Sequence, residues 1–219
     1  MISAILAAAA LIVGWMVMKN MEKEKKTKAL QSLIDTAADP AAKDLPVSAS
    51  QLKSLLDSLK IPRQLAQYAP TMRAIRLAKA TDSTNVDVKI AEFGTTADIP
   101  SDVRQMLFRD VVRRRDKRDG APILIQYARS TKEASSADAA LNGIKTVAND
   151  DDFKPLLETV ESASTPQVRQ SAADVAGDVA RRSSNRAMLR GMVEQSLSGS
   201  VSDDVRGLLL GIKTAASGE

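Results

Sequence analysis

The chain has 219 residues, 44% hydrophobic but only 3% aromatic, a balance that suits close packing of small aliphatic helices better than a β-sheet. It has no cysteine and no histidine, which excludes disulfides, Cys/His zinc sites, histidine proton shuttles and cysteine nucleophiles. A net charge of +4, from 31 basic and 27 acidic residues, describes a mixed solvated surface and not the strong excess of a dedicated nucleic-acid binder.

Residues 2–18 (ISAILAAAALIVGWMVM) carry no charge. Their number is at the lower limit for crossing a bilayer core as a helix, and Trp15 lies near one end, where an indole favours the headgroup boundary. A transmembrane anchor is expected over residues 1–20, with Ile5, Leu6, Leu11, Ile12, Val13 and Trp15 in contact with membrane lipid. A cleaved signal peptide fits less well: no Lys or Arg precedes the apolar run, and Trp-Met-Val-Met follows the alanines. A buried core helix would show polar positions on one face, and this run has none. Residues 19–28 hold five lysines against two glutamates. The positive-inside rule then gives a single-pass topology with the C-terminal domain in the cytoplasm.

Residues 21–48 read as a juxtamembrane helix and linker. Leu30, Leu33, Ile34 and Ala37 share one helical face, Asp39-Pro40 ends the helix, and 39–48 form the linker. Residues 49–219 read as a helical repeat domain. Ser48 or Ser50 can cap a helix carrying Leu52, Leu55, Leu56 and Leu59. Pro62 can open the next, with Leu65, Tyr68, Met72 and Ile75 inward and Pro70 as a kink. In 84–96 the alternation of Val86, Val88 and Ile90 is a strand signal, whereas the repeat register asks for a short helix.

The register comes from segments that begin at Asp119 (DGAPIL), Asp152 (DFKPLL) and Asn185 (NRAMLR), spaced by 33 residues. Each is followed by a second helical pattern. Ala137, Ala140, Leu141, Ile144 and Ala148 occupy the same five offsets as Val205, Leu208, Leu209, Ile212 and Ala216. Val168, Ala172, Val175, Ala176 and Val179 form a third stripe, and Val103, Met106, Leu107 and Val111 a fourth that Asp110 interrupts. Cap and turn residues precede these stripes: 99–102 (IPSD), Ser135-Ser136, Ser164-Thr165-Pro166 and 198–204 (SGSVSDD). Asp150-Asp151-Asp152 and Ser183-Ser184-Asn185 serve the first helices. The acidic triplet is better read as favouring a helix N-terminus than as a metal site.

The segment TPQVRQSAADVAGDVA (165–180), with Val-Arg again at 103–104 and 205–206, resembles the second-helix signature of HEAT/armadillo-like helical repeats over residues 82–217. The resemblance implies an all-α fold, an α-solenoid of stacked antiparallel helix pairs whose extended surface binds partners. It also implies a turn aspartate that bonds the arginine of a neighbouring unit. Asp98 matches that place, while Ala163 and Ser200 depart from it.

No GxxxxGK[ST], GxGxxG or GxSxG motif occurs, and Ser/Lys pairs such as Ser130 and Lys132 carry no weight in so serine-rich a chain. No cofactor, metal or small-molecule substrate is expected, and the chain does not read as an enzyme. The strongest charge run is Arg113, Arg114, Arg115, Lys117 and Arg118. It reads either as a patch for an anionic partner or as a solvated helix C-terminus, and the second reading is favoured because Asp110, Asp116 and Asp119 dilute it and no aromatic residue interleaves. The expected function is a membrane-anchored scaffold or structural subunit that binds a protein partner within a larger assembly. The alternative is a membrane-tethered nucleic-acid binder that uses 113–118.

Overall fold

The computed structural model describes the backbone of residues 2–218 and the side chains of residue 15 and of 17–218. The chain is mostly helical. One continuous helix, α1 (Ile2–Ala38), runs from the apolar segment into the body of the protein. Among the described residues no helix is long and apolar enough to cross a membrane. The anchor expected over 1–20 falls chiefly on residues 1–14 and 16, whose side chains lie outside the described residues.

The distal part of α1 belongs to the folded domain. Ala37 is fully buried, and Leu30, Leu33 and Ile34 pack against the same core. The linker expected over 39–48 contains a strand, β1 (Leu45–Val47), paired in parallel with β2 (Ala78–Ala80) through Leu45↔Ala78 and Val47↔Ala80. Between them lie α2 (Ala49–Asp57), 3-10 turns at Ser58–Lys60 and Leu65–Tyr68, and α3 (Ala69–Leu77). Ser48 caps α2 in a reciprocal capping box with Gln51. Pro62 does not open a helix, contrary to expectation; α3 begins at Ala69 and Pro70 sits in its first turn. Leu65, expected inward, is therefore exposed, while Tyr68, Met72 and Ile75 are buried.

Four helix pairs follow. The first is α4 (Val86–Thr96) with α5 (Ser101–Met106), a π-helical turn at Leu107–Val112 and α6 (Arg113–Arg115). The next is α7 (Ala121–Ser130) with α8 (Ala134–Ile144). The last two are α9 (Asp150–Ser162) with α10 (Pro166–Arg182), and α11 (Arg186–Ser198) with α12 (Asp203–Ser217). The stretch open between helix and strand is α4: the Asn85 side chain accepts the Val88 N–H, and Val86, Ile90, Ala91 and Gly94 turn one face inward.

First helices pack on first helices, α4 on α7, α7 on α9 and α9 on α11. Second helices do the same, with α5 and the π turn on α8, α8 on α10 and α10 on α12. The units thus form two layers around a core of small aliphatic side chains, with Phe108 and Phe153 as its largest members. The stripes at 137–148, 168–179 and 205–216 are buried, apart from a half-buried Leu208. A second core joins α1, the strand pair, α2, α3 and the inward side of α4 and α5. The helix of 101–115 serves both cores, since Phe108 belongs to the first and Leu107 and Val111 to the second. The π turn widens the helix here, because its i→i+5 bonds admit an extra residue. A Cβ at Gly94 would stand 2.5 Å from Phe108 Cε1, so only glycine lets α4 pass this ring.

Candidate functional site

A helix ends with carbonyl groups that have no partner within the helix. In this protein arginines from other segments supply several. Arg73 of α3 donates to the Ala37 and Asp39 carbonyls at the end of α1 (2.5 and 2.9 Å). Arg104 donates to Gly94 and Ala97 at the end of α4 (2.9 and 2.8 Å). Arg169 donates to Ala163 after α9 (2.8 Å), and Arg182 to Lys145 and Ala148 after α8 (3.1 and 3.0 Å). The Val-Arg dipeptide thus has a physical role at 103–104 and 168–169: the valine is buried and the arginine closes the first helix of its own unit. Asp98, the turn residue singled out by the repeat resemblance, makes no side-chain hydrogen bond or ion pair among the described residues. Arg104 reaches instead to Glu133 of the next unit (2.8 Å) and lies over the Tyr127 ring.

The basic run at 113–118 divides in the same way. Arg115 turns inward, with only 11% of its side chain exposed; it pairs with Asp87 at 2.6 Å and donates to the Ile75, Arg76 and Ala78 carbonyls. Arg118 spans to the next unit and meets Asn149, Asp151 and Asp152 at 2.9, 3.5 and 3.2 Å. Asp116 sits between them at φ 52°, the left-handed backbone that ends the helix. Arg113, Arg114 and Lys117 are exposed, and Arg114 is loosely paired with Asp110.

Arg114, Arg115 and Lys117 line a shallow polar groove of about 740 Å³ with Lys43, Arg76 and Lys79 from the strand region. These last three cations come from about 35 to 75 residues upstream in the sequence and are not part of any charge run with 113–118. Asp44, Asp82, Asp87 and Asp119 share the groove, and Lys79 is paired with Asp44. Hydrogen bonds from Thr84, side chain and backbone, hold the Asp82 carboxyl below its ordinary value.

The acidic triplet acts as the sequence suggests. Asn149 and Asp152 form a reciprocal capping box at the start of α9, and Asp150 accepts from Ser183 and Asn185 at the start of the next unit. Among the described residues no group of three carboxylates could hold a metal ion. Ser130 donates to the Gln126 carbonyl within its own helix, an ordinary helical contact.

Among the described residues, apolar grooves lie between α2 and α4 and between the first helices α9 and α11. One, of about 460 Å³, lies between α2 and α4 over Leu52, Leu56 and Phe93, with Lys53, Lys60 and Lys89 at its rim. The Lys60 ammonium sits 5.4 Å from the centre of the Phe93 ring. The other, of about 580 Å³, lies between α9 and α11 over Leu157, Met192 and Val201, with Glu158 and Glu161 at its rim. At the start of the described side chains Trp15 is exposed and Lys19 stacks over its ring at 4.7 Å. The other expected anchor residues, Ile5, Leu6, Leu11, Ile12 and Val13, lie outside the described side chains. No protein-family model matches this chain, and no curated protein or solved structure matches it either.

Proposed function

We propose that this protein is a membrane-anchored α-solenoid scaffold of HEAT/armadillo-like character that binds a protein partner within a membrane-associated assembly. The observation that carries the reading is the layered stack: helix pairs in register, with apolar grooves between α2 and α4 at one end and between α9 and α11 at the other. A stack of this kind offers an extended surface to a partner without a chemical centre. The anchor is supported by the uncharged run of residues 2–18, and the cytoplasmic placement of the domain by the lysines that follow it. The nucleic-acid reading has less support, because Arg115 and Arg118 are committed to contacts within the fold. Crosslinking and mass spectrometry on native membranes tests the proposal. A reproducible protein partner is expected; recovery of the monomer alone would count against a scaffold.

A further inference from the structure

Among the described residues of the N-terminal half, the exposed large hydrophobic side chains outside α1 are Ile61 and Leu65. They sit on the short connection between α2 and α3, and their exposure is not the result of a loose loop. Buried Tyr68 donates its hydroxyl proton to the Ile61 carbonyl (2.9 Å) and accepts the Arg63 N–H (3.1 Å). The Gln64 N–H donates to the Gln67 side chain (3.2 Å). The segment is pinned from the inside and displays Ile61, Pro62, Arg63 and Leu65 outward.

Its place along α1 gives that display a meaning. Ile61 lines one groove, of about 680 Å³, with Lys19, Lys23 and Lys26 of α1. A helix rises 1.5 Å per residue, so Lys19 and Lys23 stand about 6 and 12 Å beyond Trp15 along its axis. With Trp15 at the headgroup boundary, Lys19 falls within the headgroup layer, which is about 5–8 Å thick on each side of a bilayer, and Lys23 stands just beyond it; Ile61 shares their groove. Glu22 and Asp57 are the acidic members of the groove, and Asp57 is engaged by Lys53 and Lys60. Burial would raise the Asp57 carboxyl, but the hydrogen bonds from those two lysines outweigh it and hold the group below its ordinary value. Lys19, Lys23, Lys26 and Arg63 remain to face anionic groups.

We propose that the helical domain docks on the surface of an anionic bilayer through this second contact. Ile61 and Leu65 enter the interface, and Lys19, Lys23 and Arg63 meet lipid phosphates. Apolar side chains that enter the boundary and basic side chains that attract anionic lipid reinforce each other. The inference rests on the anchor reading above and deepens it: the tether becomes a fixed seat that orients the stack.

The chain has no native cysteine, so single labels are direct. Leu65→Cys, Val13→Cys and Met188→Cys are each spin-labelled in the full chain and reconstituted in phosphatidylcholine vesicles with or without phosphatidylglycerol. Accessibility to a water-soluble nickel complex is then read for each label. With phosphatidylglycerol, the Leu65 label is expected to be several-fold less accessible than the Met188 label. Lys19→Glu with Lys23→Glu, or high salt, should restore access at Leu65. A Leu65 label as accessible as that at Met188, with Val13 shielded, overturns the docking and leaves the anchor standing. A Val13 label open to water overturns the anchor and the docking together. Equal protection of Leu65 in neutral vesicles overturns the role given to the basic residues.

Discussion

Replacement of Arg115 by alanine tests the role given to the inward half of the basic run. The side chains of Arg115 and Asp87 are 11% and 16% exposed, so solvent screens their pairing little. Removal of the guanidinium leaves a nearly buried carboxylate without its cation and removes a donor from three carbonyls at the end of α3. Breaking a buried pair and orphaning such acceptors costs about 3 kcal/mol. For a domain of this size that corresponds to a fall in Tm of about 6–12 °C. Arg115→Lys keeps the charge but not the planar fork, and should recover only part of the loss. Arg113→Ala removes an exposed cation of the same run and should stay within about 0.5 kcal/mol of the wild type. The assay is a thermal melt followed by far-ultraviolet circular dichroism, with the full chain in lipid nanodiscs. If the two alanine variants melt together, the clamp is not holding α3 to the stack and the division of the run is wrong.

The tight passage of α4 by Phe108 gives a second test. Gly94→Ala forces a methyl against a fully buried ring and should destabilise by about 2 kcal/mol. Gly191→Ala, on an open face of α11, should instead stabilise by up to about 1 kcal/mol, as measured by urea midpoints. The Asp178 carboxyl bears on pH: burial would raise it, but hydrogen bonds from Arg181 and Lys145 outweigh this and hold it below its usual 3.8. A group with a depressed folded value stabilises above its unfolded value, and that stability is lost as pH falls through the folded value. Asp178→Asn should therefore lower the urea midpoint near neutral pH and show a smaller further drop below pH 3.8; equal acid sensitivity of the two proteins would remove Asp178 from the account. Asp152→Ala removes a member of the α9 capping box together with one of the three partners of Arg118, and should cost about 1–2 kcal/mol.

The helical stack was legible because its signal is periodic. Ala172, Val175, Ala176 and Val179 recur at helical spacing, and all are buried. What stayed hidden depends on contacts distant in sequence. The strand pair uses three residues on each side, too few for an alternating pattern, and joins Leu45 to Ala78. Val86, Val88 and Ile90 suggested a strand because their spacing also fits one; the Asn85 cap and the contact of Ala91 and Gly94 with the core decide for a helix. Leu65 looked inward only if a helix began at Pro62. A 3-10 turn closed by Tyr68 places it outside. The basic run was ambiguous for the same reason. Arg113 and Arg115 are alike in sequence, and the α3 carbonyls that engage Arg115 lie about 40 residues away. Asp98 shows the limit of a family pattern: it makes no side-chain bond to an arginine of a neighbouring unit among the described residues, and Arg104 of its own unit satisfies backbone carbonyls.

The most direct test of the scaffold reading is photocrosslinking from defined positions in native membranes. A photoreactive residue is placed at Phe93 or Met192, on the first-helix grooves, and for comparison at Gln170 on the second-helix layer. Adducts from Phe93 and Met192 to a common protein, with little from Gln170, are the expected result. Equal labelling from all three positions, or adducts only to nucleic acid, would contradict it.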